Sequence, residues 1–183
     1  MTQPSSHTHE PIVQDGEPVL RAEAKALTPQ DITSPATCAL IAHMKELLAQ
    51  EKNGVGLAAP QVGSSLRLFI VAGRVFLPER EEGEKPVPAH KIPADKVFIN
   101  PEIMRQSKRM SSMDEGCLSV RGLYGTVVRS EKVTIRAIDE KGKSFTMNAS
   151  GLVAQIFQHE VDHLNGILYI DRAISTRPDK DKK

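Results

Sequence analysis

The stretch GLVAQIFQHEVDHLNG, Gly151 to Gly166, carries a packing pattern and a chemical pattern at once. Leu152, Val153, Ile156, Phe157 and Leu164 recur at helical spacing and make one apolar face, and Gly166 marks the stop. Within the same span lies His159-Glu160-Val161-Asp162-His163, two histidines one helical turn apart with a glutamate beside the first. On a helix such residues share a face roughly 6 Å apart, so both imidazoles can reach one metal ion, with Glu160 next to it as general base. The plain alternative is a helix with two ordinary histidines. The motif's seat on a helix with a good apolar face argues against it.

Two histidines do not complete a catalytic site, which normally has three protein ligands and one open position. The usual metalloprotease extension would put a third histidine where Tyr169 stands, and no glutamate follows His163. Upstream, Cys117 in Glu115-Gly116-Cys117-Leu118-Ser119 offers a thiolate, a strong ligand for zinc or ferrous iron. Alone, Cys117 reads as a buried structural cysteine; its glycine and polar neighbours suggest a specialised loop instead. A third segment, Gly54-Val55-Gly56-Leu57-Ala58-Ala59-Pro60-Gln61, superficially matches a dinucleotide-binding fingerprint. That fingerprint needs a strand before it and a helix after it. Here a helix precedes, and Pro60 and Gly63 interrupt any helix that would come after. Small residues there let a substrate backbone come close, and Gln61 offers an amide donor.

Outward from these segments, Pro35 to Lys52 reads as a first helix, with Ser34 as N-cap and Leu40, Ile41, Met44, Leu47 and Leu48 as its stripe; Asn53 and Gly54 end it. Strands are expected over Leu66–Ala72, Val97–Asn100, Gly125–Arg129 and Lys132–Ile138, the last paired with Ser144–Asn148 about the turn Asp139-Glu140-Lys141-Gly142. Helices and strands do not alternate regularly. The fold class is therefore α+β, a single domain of antiparallel or mixed sheets packed around a central helix that bears the histidine motif. Residues 1–12 read as a disordered segment, 13–175 as the catalytic domain, 78–96 as a long surface loop rich in proline and charge, and 176–183 as a flexible polar tail.

Composition narrows the class. A net charge of +1 excludes broad attraction to nucleic acid or anionic membrane. No apolar run approaches the ~18 residues that span a bilayer. The N-terminus has neither an apolar core nor an arginine, so a cytoplasmic location follows by default. Two cysteines, Cys38 and Cys117, are too few for a disulfide framework.

The three segments, in this order, resemble the peptide deformylase family, which pairs Gly-x-Gly-x-Ala-x-x-Gln, Glu-Gly-Cys-Leu-Ser and His-Glu-x-Asp-His. The likeness covers Ile12 to Ala173 and includes Pro18-Val19-Leu20-Arg21. It implies a metal hydrolase that removes the formyl group from the N-terminal methionine of new polypeptides. By the same resemblance Cys117, His159 and His163 hold one divalent ion per chain, ferrous iron natively, with zinc, nickel or cobalt as substitutes. Glu160 moves the proton, and Gln61 with the backbone N–H of Leu118 stabilises charge on the formyl oxygen. Val55, Leu152 and Ile156 line the methionine slot, and the peptide backbone runs along Gly54-Val55-Gly56. Asp162 pairs with Arg129, and Glu115 orients a neighbouring ligand or arginine.

Formyl-methionyl nascent peptides are the implied partners, met by a monomer in transient association with the ribosome, although the short polar C-terminus offers no helical anchor. The chain carries no nucleic-acid motif and no membrane segment. It departs from the family at Arg121, where proline is common, and at Tyr124, where arginine is frequent. His43, His7, His9 and His90 read as solvated or packing residues. The rivals are a general peptidase built on the same histidine motif and a purely structural metal site.

Overall fold

The computed structural model describes residues 12–78 and 86–179 of the 183-residue chain. A single helical turn α1 (Pro29–Ile32) leads into α2 (Pro35–Gln50). The Ser34 side chain accepts the Thr37 N–H at 3.3 Å and Pro35 opens the helix, as the sequence implies. Ile41, Met44, Leu47 and Leu48 are buried along it. The helix stops two residues earlier than expected because Glu51 turns extended, and the Gly54 N–H then closes a turn onto the Glu51 carbonyl.

Strands follow as β1 (Gly56–Ala58), β2 (Leu68–Val71), β3 (Lys96–Gln106), β4 (Met110–Cys117), β5 (Val120–Ser130), β6 (Lys132–Ile138) and β7 (Ser144–Ser150). Helix α3 spans Gly151–Leu164, and β8 spans Ser175–Pro178. One sheet has the order β1-β2-β3-β6-β7 and the other β4-β5-β8, with every strand pairing antiparallel. The β6–β7 hairpin is the expected one: Lys132 faces Ser150, Ile138 faces Ser144, and Gly142 takes the left-handed φ of 80° that its turn requires.

β2 reads LFIV and is buried throughout, and its two faces feed two cores. Leu68 and Ile70 join Met44 and Leu48 of α2, while Phe69 and Val71 join Phe157 and Val161 of α3. On the second side Phe69 stacks on Phe98 at 4.7 Å between ring centres, and Phe157 packs 4.9 Å from Phe98. The larger sheet thus lies between the two long helices. The opposite side of α3 faces the smaller sheet, and nearly every residue from Ala154 to Leu164 is buried. An amphipathic stripe understates that burial; its polar residues must find partners inside the protein. Gly166 ends α3 at φ 72°, and a side chain there would meet the Arg21 carbonyl oxygen at 2.6 Å.

Several boundaries differ from expectation. β4 was invisible because MSSMDEGC has little apolar alternation; its order comes from pairing with β5, Met110 to Ser130 through Glu115 to Gly125. Thr176 to Pro178, expected in a frayed tail, pair instead with Leu123 to Gly125, and Arg177 bonds Asp114 at 2.7 Å. Ile12, expected in a disordered segment, is buried at 1% exposure. Within the expected loop 78–96, Ala89–Lys91 form a tight helical turn, Asp95 accepts the Gly73 N–H at 2.8 Å, and Lys96 already belongs to β3. The rest of the expected N-terminal segment, residues 79–85 and the end of the tail lie outside the described residues.

Phe157→Ala is expected to cost about 3–5 kcal/mol of unfolding free energy, because it removes a fully buried ring packed on Phe69 and Phe98. Ile174→Ala, at an exposed position, should stay within about 0.5 kcal/mol. Urea denaturation of both variants checks the pair; equal midpoints would contradict this placement of the core.

Candidate active site

The buried polar residues of α3 are resolved one by one. Gln158 accepts the Ser130 N–H at 3.0 Å and donates to the Ser130 carbonyl at 2.9 Å, and Gln155 donates to the Asp114 carbonyl at 2.9 Å. These bonds dock the helix on β4 and β5. Arg129 on β5, only 4% exposed, sends Nε and Nη2 to both oxygens of Glu115 at 2.8 and 2.9 Å and Nη1 to Asp162 at 2.5 Å. Asp162 also receives Nε and Nη2 of Arg172, at 2.7 and 2.8 Å. Buried charges are tolerable only when paired and bonded in this way.

From this network one bond reaches the histidine motif: His159 Nδ1 lies 2.8 Å from Glu115 Oε2. A carboxylate only accepts, so Nδ1 carries a hydrogen, and Nε2 is the ring nitrogen left for a metal ion. Burial alone would raise the Glu115 carboxyl, but hydrogen bonds from Arg129 and His159 overcome it and hold the group at about 2. For His159, burial acts downward, and hydrogen bonds with Cys117 and Glu115 carry its pKa well above the usual value. Surroundings that favour a positive charge on the ring also favour a cation beside it.

Cys117 ends β4, just before the two-residue turn Leu118-Ser119 into β5. Its sulfur lies 3.2 Å from His163 Nε2, and the ligand atoms of Cys117, His159 and His163 all fall within 4.8 Å of one another. Three such atoms around one centre suit the roughly 2.0–2.3 Å bonds of a tetrahedral zinc or iron site. The Ser119 N–H and Gln61 Nε2 approach the sulfur at 3.4 and 3.5 Å. Gln61 itself is buried, its Oε1 accepting the Ala58 N–H at 2.8 Å and its Nε2 donating to Ser119 Oγ at 3.1 Å. Those bonds settle which end of the amide faces the site.

Glu160 is buried beside the cluster, and its Oε2 has no hydrogen-bond partner; the same holds for His163 Nδ1. Burial pushes the Glu160 carboxyl up to about 7, with His159 pulling against this and Glu115 adding to it. A divalent cation at the centre would draw that pKa back down and give the lone oxygen a charged neighbour. Burial likewise lowers the His163 pKa well below its usual value, keeping the ring neutral as a ligand must be. The residues present therefore fit a divalent ion, on the chemistry of the donor set and on the orphaned carboxylate oxygen together.

These groups open into a cleft of about 360 Å³ lined by Gly54, Val55, Gly56, Leu118, Leu152 and Ile156, among others. Ile156 is buried and Leu152 stands exposed at the rim. Gly56 has a steric reason: a Cβ there would collide with Glu160 Oε1. Arg121 also lines the cleft, bonded to Glu51 at 2.7 Å. Tyr124 lies close over Gly116, under the Arg177 guanidinium at 5.4 Å. His43 and His90 are exposed, as expected, while His7 and His9 lie outside the described residues. Cys38 is an exposed free cysteine apart from the site.

The sequence did not single out Tyr169, Arg172 or Ser119 as part of the site. Tyr169, weighed as a ligand position and set aside, stacks on the His159 ring at 6.1 Å and donates to the Leu123 carbonyl at 2.8 Å. Arg172 sat in a polar stretch with no periodicity to mark it.

Ligand atoms that converge with one side open, and a buried carboxylate facing that side, define the class: a metal-dependent hydrolase. Comparison with known proteins makes the assignment specific. The sequence profile described as Polypeptide deformylase matches residues 9–179, and the chain belongs to that family. A peptide deformylase of Halothermothrix orenii is 43% identical over 159 residues, covering 87% of this chain and 90% of that protein. The chloroplastic/mitochondrial peptide deformylase 1B of Arabidopsis thaliana is 39% identical over 161 residues, 88% of this chain and 53% of the relative. The Met-Ala-Ser-bound crystal structure of a class I type b peptide deformylase from Acinetobacter baumannii matches with a TM-score of 0.74 at 36% identity, covering 88% of this chain and 96% of that one. Among the described residues no helix is long and apolar enough to cross a membrane.

Gly56→Ala tests the close approach of β1 to Glu160. Displacing the carboxylate by about 1 Å should lower turnover on the order of 100-fold while metal content is retained. Turnover and metal per chain are measured on one sample; unchanged turnover would show that the contact does not hold Glu160.

Proposed function

We propose that Cys117, His159 and His163 hold one divalent metal ion and that Glu160, Gln61 and the Leu118 N–H work beside it. The reaction is removal of the N-formyl group from the N-terminal formyl-methionine of polypeptides, giving formate and a free methionine. The observation that carries this assignment of roles is the buried Glu160 carboxylate, with one oxygen unpartnered, at the Cys/His/His cluster.

A divalent ion at that position supplies Lewis-acid chemistry, lowering the pKa of water and polarising a carbonyl. Glu160 takes the proton of the attacking water and returns it to the departing amine. Charge on the formyl oxygen falls to Gln61 Nε2 and the Leu118 N–H, and the Ala58 bond to Gln61 Oε1 means that the amide needs no reorientation as charge develops. Val55, Leu152 and Ile156 take the methionine side chain. β1 is an edge strand of the larger sheet, which supports an extended peptide adding along Gly54-Val55-Gly56.

The peptidase alternative loses ground at Tyr169, the position its third ligand would need. That ring is held against His159 with its hydroxyl already bonded to Leu123. In our reading one catalytic domain extends beyond 13–175 to take in Ile12 and β8. It acts in the cytoplasm as a monomer that meets formyl-methionyl chains during synthesis, in transient association with the ribosome.

Protein purified without oxygen should release formate from formyl-Met-Ala-Ser in proportion to about one metal per chain and leave an internal-bond peptide intact. Glu160→Gln should keep the metal and lose at least about 100-fold in turnover. Metal-loaded, folded protein that releases no formate would overturn the assignment.

Cys and His donors accept both iron and zinc, and we assign ferrous iron as the native ion, with zinc, nickel or cobalt able to replace it. The iron form should be the more active and lose turnover in air, followed by formate assay and metal analysis over time. Equal and air-stable turnover of the iron and zinc forms would refute that choice.

A further inference from the structure

One arginine outside the motifs reaches the Cys/His/His cluster through four consecutive contacts. Arg172 follows the tight turn Tyr169–Asp171, and its side chain is 46% exposed. From the surface it forks onto the buried Asp162 carboxylate, Nε to Oδ2 at 2.7 Å and Nη2 to Oδ1 at 2.8 Å. Asp162 Oδ2 also takes Arg129 Nη1 at 2.5 Å. Arg129 in turn grips both oxygens of Glu115, and Glu115 Oε2 holds His159 Nδ1. The same short turn carries Tyr169, whose ring lies nearly parallel to the His159 ring, at 24°.

Resting on the metal-centre reading above, we infer that Arg172 is a positioning residue for His159. Its two-point grip on Asp162 fixes where Arg129 sits between its carboxylates, and so fixes the imidazole. Of the three hydrogen bonds that Asp162 accepts from arginines, two come from Arg172. Without that fork the carboxylate is free to rotate toward Arg129, and the shift passes to the Glu115 oxygen that Arg129 and His159 share. A planar fork does this and an ammonium does not, because lysine offers a point charge without paired, coplanar donors. Charge alone works in the opposite direction: removing a cation from the neighbourhood of a metal ion should tighten its binding.

That opposition of signs makes the test decisive. Full-length protein is loaded with cobalt, and its visible spectrum and rate of cobalt loss to a chelator are recorded for wild type, Arg172→Lys and Arg172→Gln. Unfolding midpoints are measured in parallel. Arg172→Lys keeps the charge but should lose cobalt about 10-fold faster, with altered ligand-field bands. Arg172→Gln should lose it at least as fast, despite its lost positive charge. Wild-type spectra and loss rates in both variants, or slower loss from Arg172→Gln, would overturn the inference even if the unfolding midpoint falls. Cys117→Ser serves as the control for the centre itself. Absence of a thiolate-to-cobalt band in wild type, or its persistence in Cys117→Ser, would overturn the metal assignment and this inference with it.

Discussion

Arg129 sits almost wholly out of water with a carboxylate on either side, Glu115 from β4 and Asp162 from α3. Left unpaired, any of the three would be strongly destabilising, because each would be an uncompensated buried charge. Pairing binds three elements into one arrangement: the strand that ends in Cys117, the strand beside it, and the helix that bears both histidines. A hydrophobic contact would hold those elements together with more freedom of register. Bidentate bonds to a planar guanidinium leave little, since donors and acceptors must share a plane. The orientation of His159 is thus inherited from the ion pair that holds Glu115.

The same geometry explains why α3 must be buried on nearly all sides. Glu160 is held out of water against the backbone of β1, the setting that the role proposed for it requires. The tight approach of β1 needs glycine at position 56, and the stop of α3 at Gly166 needs the absence of a Cβ against Arg21. Between these positions, one face of the helix completes the aromatic core and the other supplies the chemistry. Packing and function compete for the surface of one helix of 14 residues. The polar side chains Gln155, Gln158 and Asp162 reconcile them by bonding to the smaller sheet.

Legibility in the sequence depended on the range of each signal. Helix α3 and strand β6 were readable to the residue, and β7 to within two residues at its end, because periodicity, a turn and a terminal glycine all act locally. The Cys117, His159, His163 grouping came from motif chemistry and family resemblance, and the structure brings the three together. β4 and β8 were not readable: β4 has little apolar alternation, β8 is exposed throughout, and partner strands order both. Arg172 and Tyr169 escaped for a related reason. An arginine 10 positions from Asp162 has no sequence pattern that marks it as a partner, since the turn that folds it back is itself set by tertiary contacts.

This split has a consequence for assembly. Two donors arrive together, since His159 and His163 share one helix, while Cys117 arrives on a hairpin 42 residues before the first of them. Local helix formation cannot bring the sulfur to the imidazoles; only docking of the smaller sheet onto α3 does so. The Arg129–Asp162 ion pair is formed by that same docking, so the link between the sheet and the helix and the Cys/His/His cluster come into being in one step. A metal ion held by these three side chains would bind the docked state and not the separated elements, so its binding free energy would add to the stability of the interface between α3 and the smaller sheet. On the metal-centre reading proposed above, metal retention and the integrity of the buried salt-bridge network would be two readings of a single tertiary contact.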